Sequence, residues 1–233
     1  MKATRSLKVK SVLAVLLIAA ELFAQLTAFH ADAMAAEPVP ESAPALPDGI
    51  HFGGQMTQED VAYFSASLDY VQAQLPQWWQ YVMDARPFTL SFDPAMAANG
   101  RAAIAECCDK QGNGQIKFGY HFGQLTMTVD PGSMAVEARR ATFLGLLIHE
   151  LTHVRDQRAG RYTKKTDRKS CVAAESSGLT QQLEVKRDLA TRLADDPSAD
   201  SVFQSWLDQQ VKTEAADLRS RELWDWYCGA FES

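Results

Sequence analysis

The chain has 233 residues, of which 46% are hydrophobic and 22% charged, and its formal net charge is −6 at pH 7. A chain of this length and composition can bury one hydrophobic core, and its acidic balance leaves no basic face for nucleic acid. We therefore expect one folded domain that does not bind nucleic acid.

Residues 1–36 have the pattern of a secretory signal peptide. Four basic residues precede an apolar run at residues 11–20, and small residues with Ala-x-Ala spacing cluster at residues 31–36. The apolar run is too short to span a bilayer, and no later stretch approaches spanning length. We predict an exported protein, periplasmic or secreted, whose mature chain has no transmembrane segment. Cleavage removes four basic and two acidic residues and leaves a net charge of −8.

Residues 37–55 are rich in Pro and predict an extended linker, so the folded domain is expected over residues 56–233. Thr57 and Asp60 form a capping-box pattern, and apolar residues follow at helical spacing until Pro76, which predicts the first helix. The aromatic residues just after Pro76 extend this helix or begin a second one. We expect them in the core.

Strand patterns follow this helical region. Residues 87–92 alternate between apolar and polar and predict a strand, as do the β-rich runs at residues 115–122 and 125–129. One of the two later runs is expected to form an edge of the sheet. A turn at residues 130–133 then leads into a helix.

That helix carries His-Glu-Leu-Thr-His at residues 149–153. His149 and His153 lie one turn apart on the same face, so both imidazoles can reach one metal ion. The apolar stripe of this helix consists of Leu144, Leu147, Ile148, Leu151 and Val154. Two His on a buried apolar helix are costly unless they bind a partner, and zinc is the commonest reason for this spacing. The alternative is one His satisfied in the core and the other on the surface.

The third ligand must come from outside this motif, because Asp156 and Ala159 stand where the metzincin pattern has Gly and His. Glu175, 22 residues after His153, begins a second apolar-periodic segment that can return to the site as a helix. Glu184 and Asp167 are the alternatives. Both lie in charged or polar surroundings that indicate exposure to solvent, so we predict Glu175.

The residues at 149–153 followed by Glu175 resemble the gluzincin-type zinc metallopeptidases. The resemblance covers about residues 85–190 and implies a zincin-like α+β fold. Such a fold is mostly helical, and its small mixed sheet precedes the metal-binding helix and has its edge strand along the substrate cleft. Arg155 stands where such helices usually carry an apolar residue, and Glu175 lacks the Asn-Glu-x-x-x-Asp surroundings, so no subfamily is implied.

The predicted function is that of an exported zinc metallopeptidase acting on protein or peptide substrates. His149, His153 and Glu175 bind one catalytic Zn²⁺, which leaves a position for water, and Glu150 is the general base and acid. One alternative is a zinc-stabilised binding or scaffold module of the cell envelope without catalytic activity. The other is a metal-free protein in which the motif is a coincidence.

The donor that stabilises the oxyanion is not assigned by the sequence. Its four candidates are Tyr120, His121, Tyr162 and Tyr227. For His121, an ordinary structural role is the favoured interpretation.

Two further helices are predicted at residues 176–193 and 201–218. Inward-facing positions in the second are expected at Val202, Trp206, Leu207 and Val211. The aromatic residues at 224–227 are expected to pack the C-terminal end against the core.

The predicted mature chain contains four cysteines, an even number that suits structural disulfides in an exported protein. A bond between the neighbours Cys107 and Cys108 is geometrically strained. We therefore expect each to pair with Cys171 or Cys228. A bond to Cys171 would tie the segment of Glu175 to the sheet, so reduction is expected to loosen the metal site.

Overall fold

A computed structural model describes residues 46–98, 102–121, 134–161, 167–196 and 199–229. The predicted signal peptide and the first part of the predicted linker lie outside these residues. So do the predicted strand at 125–129 and the turn at 130–133.

A mixed sheet of four short strands lies beside the helices in the described part of the chain. The strands are β1 (Ile50–Phe52), β2 (Phe88–Phe92), β3 (Ala103–Glu106) and β4 (Gly114–Phe118), in the order β1-β2-β4-β3. β1 and β4 both run parallel to β2, and β3 runs antiparallel to β4. This arrangement confirms the predicted small mixed sheet of an α+β fold.

The structure differs from one expectation about this region of the chain. The predicted linker extends to residue 55, but β1 is an edge strand whose Ile50 is buried and pairs with Phe88. A three-residue strand is too short to give a visible alternation, which explains why the sequence does not reveal it. The predicted strand at 115–122 includes β4, which lies between β2 and β3. The predicted strand at 125–129 lies outside the described residues, and within them the edge strand beside α4 is β3.

The first three helices are α1 (Gln58–Gln74), α2 (Pro76–Asp84) and α3 (Pro94–Ala98). α1 begins with the predicted capping box. The Asp60 backbone N–H donates to the Thr57 hydroxyl at 3.1 Å, and the Thr57 backbone N–H donates to the Asp60 carboxylate at 2.9 Å. Pro76 begins α2 because its fixed backbone angle suits a first helical position. The predicted capping box and first helix are therefore confirmed, and of the two alternatives for the residues after Pro76 the structure shows a separate helix.

Longer helices occupy the second half of the chain. They are α4 (Met134–Arg158), α5 (Arg168–Ala194), α6 (Ser201–Asp217) and α7 (Arg221–Cys228). α5 begins eight residues before the predicted start at 176, so Glu175 lies inside the helix near its N-terminal end.

The predicted apolar stripe of α4 faces the core, and each of its five residues exposes 2% or less of its surface. α4 approaches the sheet closely at Gly114, where an added Cβ would lie 2.6 Å from Val154 Cγ1. A glycine is required there, because any larger residue would push β4 away from the helix.

The C-terminal region is packed differently from the prediction. On α6, Phe203 and Leu207 are buried, whereas Val202 is 63% exposed. Trp226 is also exposed on α7, at 77% of its surface, so it does not pack against the core. None of the described helices has the length and hydropathy needed to cross a membrane.

The cysteine pairing differs from the expectation. Cys171 at the start of α5 is bonded to Cys228 at the end of α7, with their Cα atoms 5.8 Å apart, and Cys107 is paired with its neighbour Cys108. The disulfide therefore ties α5 to α7 and not to the sheet. The expectation is wrong because the sequence does not show that α7 returns to the N-terminal end of α5.

Candidate metal centre

Two imidazoles converge at the middle of α4. His149 and His153 are one turn apart, and their Nε2 atoms lie 3.0 Å from each other. They expose only 6% and 3% of their surfaces. Because the helix continues through both residues without interruption, the spacing alone fixes the approach of the two rings.

α5 brings a carboxylate to the same point. Glu175 Oε2 lies 3.2 Å from His149 Nε2 and 3.7 Å from His153 Nε2, and Glu175 is 7% exposed. Four-coordinate zinc with bonds of about 2.0–2.1 Å separates its ligand atoms by about 3.3 Å. The three separations are close to this value, so this buried His-His-Glu group could hold a metal ion.

Gly178, one turn after Glu175, leaves room for the cluster. A Cβ on Gly178 would lie 2.9 Å from both Nε2 and Cε1 of His149, closer than real Cβ atoms approach. The His149 ring therefore packs directly against the backbone of α5 at Gly178, and we call this contact the cradle. The side chain of any other residue at position 178 would occupy the space of the ring. The sequence gives no sign of this role except a residue without a side chain one turn after Glu175.

The two alternative ligands lie elsewhere. Asp167 is the N-cap of α5, and the Ser170 backbone N–H that donates to its carboxylate at 2.7 Å holds its pKa below the usual 3.8. Glu184 is on the exposed side of α5 and accepts from Arg187 at 2.6 Å. Neither carboxylate belongs to the described cluster.

Burial and three carboxylates act on the phenol of Tyr227. Burial of the phenol, followed by the charges of Glu175, Glu150 and Glu214, raises the pKa of Tyr227 to about 12, although 37% of the residue remains exposed. Glu150 itself is 5% exposed. A phenol with such a pKa is protonated near neutral pH and is available as a hydrogen-bond donor.

A buried polar contact joins α4 to α5 beside the cluster. Asp156 is 3% exposed and accepts from the Ser177 hydroxyl at 2.7 Å and from the Arg161 guanidinium at 2.6 Å. Ser177 is two residues after Glu175, so this contact helps to fix the helix that carries the third cluster member. Asp156, Ser177 and Arg161 follow no hydrophobic or motif spacing, so the sequence does not predict this contact.

The other polar residues of α4 also have structural partners. The Thr152 hydroxyl donates to the Ile148 carbonyl at 2.7 Å and lies 2.7 Å from the Tyr81 hydroxyl. Burial, the largest influence, raises the pKa of Tyr81. The Arg155 guanidinium lies 3.9 Å from the centre of the Tyr81 ring, which accounts for a charged residue where the resemblance implies an apolar one.

Of the other oxyanion candidates, His121 has structural partners away from α4. His121 Nδ1 lies 2.6 Å from the buried Asp60 carboxylate, and its ring stacks on Phe92. Tyr162 lies outside the described residues.

Comparison of the chain with protein-family models, with curated proteins and with solved structures found no significant match. Function is therefore inferred from the chemistry of this site.

Proposed function

We propose that this protein is an exported zinc-dependent metallopeptidase with a gluzincin-like site and a zincin-like fold. The observation that supports it best is the convergence of His149 Nε2, His153 Nε2 and Glu175 Oε2 within 4.8 Å of one another. The acidic neighbour of the first histidine, Glu150, is also buried at the same place.

The donor set favours zinc over the other common metals. Two imidazole nitrogens and one carboxylate oxygen suit zinc, whereas calcium and magnesium prefer sites made of oxygen alone. Structural zinc sites normally have four protein ligands, often including thiolates, and catalytic sites have three. All four cysteines of the chain are paired with one another, so none is free to be a thiolate ligand.

Zinc held by these three residues would polarise a substrate carbonyl and lower the pKa of a water molecule. Glu150 has the residue type and position of a general base. Its carboxylate would accept a proton as the water oxygen attacks the carbonyl carbon, and would then deliver that proton to the leaving nitrogen. The carbon–nitrogen bond breaks, and the products are a carboxylate and an amine.

A peptide is the substrate class that the fold accommodates most directly. Within the described residues β3 is an edge strand, and Cys107, immediately after it, donates its backbone N–H to Gln157 of α4 at 2.9 Å. An extended peptide can pair with such an edge and pass beside the helix that carries the two histidines. The sequence predicts this role for one of the two runs at residues 115–122 and 125–129.

Replacement of the base tests the proposal. The wild-type protein is expected to hydrolyse casein or a mixture of internally quenched peptides, and Glu150→Gln to lose about 10²–10⁴-fold in kcat while keeping its zinc. Glu184→Gln makes the same chemical change at an exposed position of α5 and should behave as wild type.

The alternative of a zinc-stabilised scaffold gives a different result. A scaffold retains one zinc in every variant and hydrolyses none of the peptides, even as wild type. Hydrolysis that is equal in wild type and Glu150→Gln would also contradict the proposed role of this carboxylate.

A further inference from the structure

A cavity of about 250 Å³ lies among residues of α2, α4 and α5, beside the His-His-Glu cluster. Its wall includes Thr152, the neighbour of His153, and Ser177, two residues after Glu175. Nearly all of its other lining residues are also polar or charged. Drug-sized ligands occupy pockets of about 300–1,000 Å³, so this cavity suits a smaller, polar molecule.

Two arginines and one aspartate set the charge of the cavity. The Arg161 guanidinium donates to the Asp156 carboxylate at 2.6 Å, so these two charges offset each other. Arg155 lies 3.9 Å from the centre of the Tyr81 ring and forms no ion pair with any carboxylate among the described residues. The wall therefore carries one positive charge in excess, on a half-buried guanidinium.

Arg155 differs from its neighbour on the same helix, Arg158. The guanidinium of Arg158 has a structural role, because it donates to four backbone carbonyl oxygens at 2.8–3.2 Å. Arg155 has no carbonyl or carboxylate acceptor within the described part of the chain, and its packing on the Tyr81 ring restricts its rotamers. A guanidinium held in this way can bind an anion at a small cost in side-chain entropy.

The cavity does not lie on the path proposed for a peptide substrate. Arg155 and Gln157 are two residues apart on α4, so their side chains leave the helix in directions that differ by about 200°. Gln157 accepts from Cys107 at the end of β3, whereas Arg155 packs on Tyr81 of α2. The cavity and the β3 edge are therefore on opposite sides of α4. A ligand of the cavity is a free molecule and not a part of a peptide that pairs with β3.

We propose that this cavity binds a small oxyanion, with the Arg155 guanidinium as the main donor and Arg161 as the second. The bound group is a phosphate or a carboxylate, because a planar guanidinium can donate two parallel N–H groups to either one. Arg161 can contribute because its side chain is 70% exposed and has further N–H groups besides the one bound to Asp156. The inference does not depend on peptide hydrolysis.

Isothermal titration calorimetry of the purified protein tests the proposal. The probes are inorganic phosphate and succinate, titrated separately at constant ionic strength so that general screening of surface charge stays the same. Wild type is expected to bind one equivalent of at least one probe, and the probe that binds more tightly identifies the chemical group.

Two arginine variants locate the bound anion. Arg155→Gln should weaken binding by about 10–100-fold, because hydrogen bonds between two charged groups are lost. Arg187→Gln is the matched control, since Arg187 lies on the surface of α5, pairs with Glu184 and should keep wild-type affinity when changed. Arg161→Gln changes a largely exposed side chain and should weaken binding by about 10-fold. It decides the question if circular dichroism shows that Arg155→Gln is not folded.

Three results would overturn the proposal. One is that wild type binds neither probe at concentrations of up to about 10 mM. Another is that Arg155→Gln and Arg161→Gln both keep wild-type affinity, which would show that the anion binds elsewhere, for example at the proposed zinc. The third is that Arg187→Gln weakens binding as much as Arg155→Gln does, which would indicate attraction by overall charge alone. Peptide hydrolysis enters none of these measurements, so each of these failures leaves the proposed function unaffected.

Discussion

Gly178 lies with its bare Cα against the imidazole of His149, so that a Cβ added to this glycine would be 2.9 Å from the Nε2 atom of the ring. Nε2 is also the atom that faces His153 and Glu175. The glycine therefore sets the position of the donor atom, although it contributes no donor itself.

We expect Gly178→Ala to weaken zinc binding by about 10–100-fold, the range found when groups that orient metal ligands are altered. The His149 ring must move away from the new methyl group, and its Nε2 atom moves with it. Competition with a chromophoric chelator measures the affinity. Gly54→Ala is the control, because a Cβ there meets nothing within 4 Å. Equal affinities for the two variants would show that the ring is not fixed by this contact.

Two carboxylates on α5 allow a direct comparison of positions. Glu175→Gln is expected to lower zinc affinity by more than about 100-fold, because a ligand oxygen loses its charge. Glu184→Gln should leave affinity unchanged, since Glu184 is at the surface and pairs with Arg187. If Glu184→Gln lost much of its zinc affinity and Glu175→Gln lost none, Glu184 and not Glu175 would be the ligand, and the assignment would be wrong.

The disulfide between α5 and α7 is expected to stabilise both the fold and the site. The double variant Cys171→Ser/Cys228→Ser opens a loop with a sequence separation of 57 and should lose about 4 kcal/mol in the free energy of unfolding. Urea denaturation measures this loss. Zinc affinity should also fall, because the bond begins one turn before Glu175.

Cys107→Ser/Cys108→Ser is the control for this prediction. Its two residues are adjacent in sequence, so their bond closes almost no loop and restricts the unfolded chain very little. Zinc affinity that is unchanged after complete reduction of the wild-type protein would contradict the coupling of the disulfide to the metal site.

The N-cap of α5 predicts a specific pH dependence. Hydrogen bonds from Ser170 lower the pKa of Asp167 below 3.8, so folding favours its carboxylate. The stabilisation is therefore present above pH 3.8 and is lost as pH falls through the lowered pKa.

Asp167→Ala should be less stable than wild type at pH 7, and the difference in stability should shrink in acid. Asp167→Asn caps the helix without titrating and should stay close to wild type at pH 7. Thermal unfolding at several pH values checks this, and a difference that grows in acid would contradict it.

The His-His-Glu cluster was predictable because its two parts obey local rules. Helical periodicity alone places His149 beside His153, and the apolar stripe of α4 shows that this face is buried. Glu175 required a further inference, that a second helix returns to the first after a loop, and the structure confirms its position. The cradle at Gly178 depends on the exact contact between two helices, which no spacing in the sequence reveals.

Other features depended on long-range packing and were missed. β1 is stabilised by pairing with β2, since three residues have too little pattern of their own. The expected cysteine pairing was wrong because it depends on where α7 returns. Trp226 was expected in the core for its size, yet the short α7 holds Cys228 inside and leaves this ring in solvent. Hydrophobicity alone does not decide which side of a short helix is buried.

The zinc content of the purified wild-type protein tests the central claim most directly. After expression with zinc and exhaustive dialysis, elemental analysis by mass spectrometry should find one zinc per chain, and His153→Ala should have lost it. A wild-type protein that is folded but contains no divalent metal, or a His153→Ala variant that retains a full equivalent, would contradict the account.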